Sequence, residues 1–223
     1  MKQNTKNTLI SYLQTLKYIG YEYMDDIKLD TYDKDLSVQT SLPNNLEELN
    51  SIVSNCNLCN FSQNNNIVFS QGDESSNIVF INTYSFELDI QSGKVFTGAT
   101  EQLLAKICKN VLDISIEDTC ILNILKCTPT KDISECKNEI NMCKSYIHKQ
   151  LDIIQPKLII AFGKSCNYLL DENKEINELR DLPLDYKGIK VVTTFHPIDV
   201  LRNPSYKKDV FNDFKKIKQM LEL

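Results

Sequence analysis

The chain has 223 residues, 42% of them hydrophobic and 25% charged, with a formal net charge of −5. That length suits one domain of ordinary size, with a real core and some extra material. The acidic balance argues against a protein that coats nucleic acid without specificity, but leaves room for a local basic groove.

Residues 1–20 are interrupted by polar side chains too often for a secretory signal. No apolar run approaches the roughly 18 residues of a membrane span. Leu9, Ile10, Leu13, Leu16 and Tyr18 fall near helical spacing, which predicts a helix over 5–18. The tract from Tyr21 to Pro43 is rich in Asp, Tyr, Ser and Thr and reads as a linker or loosely attached arm. Residues 1–45 are therefore expected to be an N-terminal helix and linker, and residues 46–223 the main domain. A helix over Leu46–Val53 runs into a pair of cysteines. From Asn77 onward short apolar runs alternate with helical patterns. Strands are expected at Ile78–Ile81, Cys120–Ile124, Leu158–Phe162 and Lys190–Phe195. Helices are expected over Thr100–Leu112, Ile133–Ile153, a short stretch after Gly163, and Tyr206–Leu221. The pattern predicts an α/β fold, a single three-layer domain whose central, mostly parallel four-stranded sheet is flanked by helices, plus an N-terminal helical extension. Polar groups at the carboxyl ends of such strands meet in one crevice.

Eight cysteines without a secretory signal point to a reducing, cytoplasmic interior, where thiols bind metal or lie buried. Cys56 and Cys59 are two residues apart and can close on one metal from a single turn; Cys127 and Cys143 form a more open second pair. Thiolates bind zinc and also hold iron–sulfur clusters, and Cys-x2-Cys suits both; the second pair is too open for a zinc ribbon and compatible with a cluster, so spacing alone leaves both open. Cys108, Cys120, Cys136 and Cys166 are expected to be small buried residues. Thr194-Phe195-His196-Pro197 follows an apolar strand, so His196 opens into the crevice, where it can donate to developing negative charge. The other histidine, His148, lies mid-helix and is expected at the surface.

Several stretches, in order, resemble the family-four uracil-DNA glycosylases, the iron–sulfur type. Asn55-Cys56-Asn57-Leu58-Cys59 looks like that family's opening cysteine pair, and Gly93-Lys94-Val95-Phe96-Thr97-Gly98 is similar to its Gly-x-Pro-Phe-x-Gly segment. Asn123-Ile124-Leu125-Lys126-Cys127-Thr128-Pro129 looks like its Asn-x-x-Lys-Cys-x-Pro motif. Glu139-Ile140-Asn141-Met142-Cys143 fits the fourth ligand, and Phe195-His196-Pro197 with Leu201-Arg202-Asn203-Pro204 fits the final motif.

The resemblance implies a DNA repair enzyme that flips uracil out of DNA and hydrolyses its N-glycosidic bond, leaving an abasic site. It implies a 4Fe–4S cluster on Cys56, Cys59, Cys127 and Cys143. Phe96 would stack on the flipped ring and Asn123 would read its polar edge, with Thr83 as a further substrate contact. His196 would stabilise the departing uracil anion, and Asp89 would position water and offset positive charge on the sugar. Leu201, Arg202 and Lys164 would contact DNA. A monomer acting on uracil-containing DNA away from membranes, near the nucleoid, is expected, with any repair or replication partner taken up through residues 1–45. One stretch departs from the family. Where its first motif reads Gly-Glu-x-Pro-Gly, this chain has Asn82-Thr83-Tyr84-Ser85-Phe86, which lacks the glycines that let backbone approach a base and predicts slow catalysis. Two other readings stand beside it: a noncatalytic iron–sulfur DNA-binding protein on this fold, and a zinc-stabilised α/β interaction module.

Overall fold

The computed structural model describes residues 42–64 and 67–221, and residues 42–221 fall within one compact unit. The expected helix over 5–18 and nearly all of the expected linker lie outside the described residues. Helix α1 (Leu46–Ser54) starts where the Asn45 side chain accepts from the Glu48 amide at 3.0 Å, a typical N-cap. It buries Leu49 and Val53 against Phe69 and Tyr146.

The sheet has six strands rather than the expected four. They are β1 (Gln71–Gly72), β2 (Ile78–Asn82), β3 (Cys120–Asn123), β4 (Leu158–Phe162), β5 (Leu184–Tyr186) and β6 (Ile189–Thr194), in the spatial order β1-β3-β2-β4-β6-β5. The four expected strands are its parallel centre; β1 and β5 add short antiparallel edges. The central strands are Val- and Ile-rich and buried along nearly their whole length, as a sheet covered on both faces requires. β1 closes against β3 only because residue 72 is glycine: it holds φ +91°, and a Cβ there would meet the Thr119 carbonyl oxygen at 2.0 Å.

Helices α2 (Glu87–Gln91) and α3 (Gly98–Ile107) lie between β2 and β3, and α3 runs on into a π-helical turn at Cys108–Leu112. Helix α4 (Lys137–Ile154) precedes β4; α5 (Ser165–Leu170) and α6 (Ile176–Arg180) follow it. After β6 come α7 (Pro197–Arg202) and α8 (Lys207–Leu221). Two apolar layers result. In one, Ile140, Ile147 and Leu151 of α4 pack on Val79, Leu122 and Ile159. In the other, Val210, Phe214 and Ile217 of α8 and Leu104 of α3 pack on Phe80, Ile121 and Ile160. The side on which successive parallel strands are added switches about β2, and the carboxyl ends of β2, β3, β4 and β6 open onto one rim, where polar side chains can gather. No helix among the described residues is long and apolar enough to cross a membrane.

Candidate active site and cysteine centre

Asn82 ends β2 and Asn123 ends β3, and the parallel register sets them side by side. Both are buried, at 2% and 0% exposure, so their amides must find partners inside the protein. The Asn82 Nδ2 donates to the Tyr84 carbonyl at 2.7 Å and to Asn123 Oδ1 at 3.0 Å. Because the Tyr84 carbonyl can only accept, the nitrogen of Asn82 must lie on that side and its oxygen must face His196. Asn123 Nδ2 in turn donates to Ser85 Oγ at 2.7 Å, and that hydroxyl donates to the Val95 carbonyl at 2.9 Å.

His196 completes the chain of contacts. It caps α7, where its Nδ1 accepts from the Ile198 amide at 3.0 Å, so the ring proton sits on Nε2. That Nε2–H donates to Asn82 Oδ1 at 2.9 Å. Burial, with the charge of Arg202 as a second cause, pushes the His196 pKa down to about 4, so the ring is neutral at ordinary pH. Its tautomer and aim are set by the fold. The rings of Phe96 and Phe162 stand edgewise to it, with centroids 5.4 and 6.0 Å away. Phe96 is held by its backbone: the Val95 and Phe96 amides both donate to Gln71 Oε1, at 2.8 and 3.0 Å.

The structure thus brings Phe96, His196 and Asn123 into one cluster at the strand ends. Asp89 lies on α2 nearby, where it accepts from the Phe86 amide at 3.2 Å and from the Thr97 hydroxyl at 2.5 Å. Thr83 is half-buried, and its carbonyl accepts from the Leu125 amide at 2.9 Å. Lys164, Leu201 and Arg202 are exposed on the connections after β4 and β6. Gly163, which takes φ +55°, donates its amide to the Thr194 carbonyl at 2.8 Å and draws those two connections together. A wide hollow runs past Gly163, Lys164, Phe195 and Asp199 to the first turn of α4; its lining includes neither Phe96, Asn123 nor His196.

The end of β6 is braced from behind. Arg180 of α6 makes a two-pronged pair with Asp213 of α8 at 2.8 and 3.0 Å, Asp213 accepts from the Thr194 hydroxyl at 2.7 Å, and the guanidinium lies 4.6 Å from the Phe195 ring centroid. The brace leaves no spacing signal in the sequence, since Arg180 and Asp213 lie 33 residues apart and Thr194 and Asp213 lie 19 apart. Asn82 carries a readable signal, an amide ending an apolar strand like Asn123, at a position where the resemblance leads one to expect glycine. His148 is a correction. It is half-buried, its Nδ1 lies 2.6 Å from the Tyr186 hydroxyl, and the two rings stack, because α4 packs this face on the β5 edge.

Cys56, Cys59, Cys127 and Cys143 line one small apolar cavity with Lys126 and Tyr146. All four thiols are free. Burial pushes Cys127 up to about 12, with its three companions as the further causes, which places the four within electrostatic reach of one another. The Leu58 amide donates to the Cys56 sulfur and the Lys126 amide to the Cys143 sulfur, both at 3.5 Å. Among the described residues no three ligating side chains stand together as a site for a single metal ion. Four thiols around a shared cavity, two of them with amide donors, are soft donors of the kind that bind zinc or an iron–sulfur cluster. The remaining cysteines, 108, 120, 136 and 166, are fully buried, as expected. Lys126 joins the two centres: its buried ammonium donates to the Asn123 carbonyl at 2.8 Å and to Gln150 Oε1 at 2.5 Å, and burial lowers its pKa to about 8.

The model of the Uracil DNA glycosylase superfamily matches residues 69–221. A protein of Sulfurisphaera tokodaii named type-4 uracil-DNA glycosylase is 31% identical over 185 residues, covering 78% of this chain and 84% of its own. Proteins of the same name from Saccharolobus solfataricus and Thermotoga maritima are 30% and 32% identical, each covering 79% of this chain, and 87% and 96% of their own.

Proposed function

The chain belongs to the uracil-DNA glycosylase superfamily, and from that premise we propose that it is a DNA repair glycosylase that flips uracil from DNA and hydrolyses its N-glycosidic bond. The observation that carries this reading is the convergence of Phe96, Asn123 and a neutral, Nε2-protonated His196 at the strand ends. A flipped uracil would stack on Phe96 and set its N3–H toward Asn123 Oδ1. Its 2-oxygen would take the His196 Nε2–H as the bond breaks, so the developing anion meets a donor already oriented for it. Asp89 is suited to hold water or offset positive charge on the sugar once the loop bearing Phe86 and Thr97 shifts. Thr83 would line the same pocket. Lys164, Leu201 and Arg202 are exposed where DNA would approach, the cations for phosphate and the leucine as a wedge.

Cys56, Cys59, Cys127 and Cys143 would hold a 4Fe–4S cluster, whose contribution when bound is to staple α1 to the sheet. In the proposed division, residues 46–223 form the glycosylase domain and residues 1–45 an accessory arm, and the chain works as a monomer. The test is uracil release from a single-stranded oligonucleotide carrying one deoxyuridine. Wild-type protein should leave an alkali-labile abasic site. His196→Ala should slow release by about a hundredfold to a thousandfold, the usual effect of losing one such donor. Protein that binds the oligonucleotide and releases no base would favour the noncatalytic binder.

A further inference from the structure

We propose that Asn82 is an internal stand-in for the substrate base, occupying the hydrogen-bonding positions of uracil until a flipped nucleotide displaces it. The inference rests on the glycosylase reading and adds a gate to it. Along its polar edge uracil offers an acceptor, its 2-oxygen, next to a donor, its N3–H. The Asn82 carboxamide offers the same pair to the same partners. Its Oδ1 takes the His196 Nε2–H at 2.9 Å, and its Nδ2–H reaches Asn123 Oδ1 at 3.0 Å. With these bonds made, His196 has no second proton to give the base, and Asn123 Oδ1 is already engaged.

The surroundings fix this arrangement. The register of β2 with β3 puts residue 82 beside residue 123, and the bond to the Tyr84 carbonyl prevents Asn82 from presenting its amide reversed. On the far side Ser85, its own hydrogen committed to Val95, can only accept from Asn123 Nδ2, so Asn123 is held with its oxygen toward Asn82. The same polarity favours uracil over cytosine, whose N3 is an acceptor and would face that oxygen unpaired. The residues after Asn82 form an irregular stretch up to α2, with Tyr84 half-buried and Phe86 exposed, and to leave its partners Asn82 must give up its bond to the Tyr84 carbonyl in this stretch. A protein whose pocket is open for a small fraction of the time binds its ligand weaker by that fraction.

Removing the side chain should therefore strengthen uracil binding. The probe is a single-stranded oligonucleotide with one 2′-fluoro-2′-deoxyuridine, whose fluorine disfavours positive charge on the sugar and so prevents cleavage. Its affinity for wild type, Asn82→Gly and Asn82→Ala is measured by fluorescence anisotropy beside a matched deoxycytidine oligonucleotide, and thermal melting checks that each variant folds. Both variants should bind the fluorinated uridine roughly tenfold to a hundredfold tighter than wild type, with cytidine binding unchanged. Should glycine disrupt the fold, alanine, which keeps ordinary strand geometry, carries the test. Wild-type protein that releases uracil from a deoxyuridine oligonucleotide, beside folded variants that bind the fluorinated probe no tighter, would overturn the gate and leave the glycosylase reading intact. Failure of all three proteins to prefer uridine over cytidine would overturn the glycosylase reading, and this proposal with it.

Discussion

At the scale of single residues, His196 shows how burial sets chemistry. A neutral imidazole is required because Nδ1 must accept from Ile198 to start α7, and with that nitrogen unprotonated the ring proton lies on Nε2, facing Asn82. A proton on Nδ1 would break the cap and place a charge in a buried site near Arg202. The pKa of about 4 lies below the ordinary 6.5, so between those values the unfolded chain binds the proton more tightly than the folded one. The stability linked to His196 is thus complete above about pH 6.5 and is lost as pH falls toward 4, to a total of about 3 kcal/mol. Urea midpoints at pH 7 and pH 4.5 should differ more for wild type than for His196→Asn, which cannot titrate. Equal differences would show that the ring is protonated without strain in the folded protein. The residue scale is also where sequence reading was most uneven. His196, Asn123 and Phe96 were legible because each sits in a short motif with a chemical reason. Asn82 is legible as an amide ending an apolar strand, but its bond to Asn123 is not, since that depends on strand register, which packing sets, and Ser85 meets Asn123 and Val95 only through the fold.

At the scale of elements, the four central strands are readable because burial on both faces leaves a continuous apolar run, and the long helices because burial along one stripe imposes a period. The expected Leu158–Phe162 strand matches its observed bounds, and the final helix differs by one residue at its start. The edge strands β1 and β5, with two and three residues, are too short for any periodicity and exist through pairing with a neighbour. Helices α6 and α7 are likewise short, and their roles come from tertiary contacts. The ion pair between α6 and α8 is the clearest case. Arg180 and Asp213 are 14% and 3% exposed at the side chain, so the pair is largely dry, and Asp213 also holds Thr194 at the end of β6. Arg180→Ala leaves a carboxylate buried without its cation, a change that typically costs roughly 3–5 kcal/mol. Denaturant unfolding should show that loss. Because Thr194 lies two residues before His196, uracil release should fall as well, even under conditions where the variant remains folded. Replacing both partners, Arg180→Met with Asp213→Leu, should recover much of the stability, because the penalty arises from the unpaired charge and not from loss of attraction alone.

At the scale of the whole molecule, the cysteine centre and the polar cluster at the strand ends are parts of one structure. Cys127 and Asn123 lie four residues apart on one connection, and Lys126 between them lines the cysteine cavity while its ammonium holds the Asn123 carbonyl. Cys56 and Cys59 follow α1, Cys143 lies on α4, and Tyr146 on the next turn packs under Leu49 and Val53. A group bound to all four sulfurs would therefore tie α1, α4 and the β3 connection at a single point. Thiol ligation would also relieve the cost of ionising Cys127, whose pKa burial raises to about 12. Losing one ligand should act on folding first and on the pocket second. Cys127→Ser should abolish the visible absorbance of an iron–sulfur chromophore and lower the melting temperature, while Cys136→Ser, equally buried but outside the set, should keep its colour. Uracil release by Cys127→Ser, measured per folded molecule, should decline with the melting temperature, since Asn123 is oriented through the same connection. Colourless wild-type protein carrying one zinc per chain would replace the cluster with a simpler brace and sink the iron–sulfur reading. Colour retained in Cys127→Ser would remove Cys127 from the ligand set, and with it the link that makes the brace reach the active site.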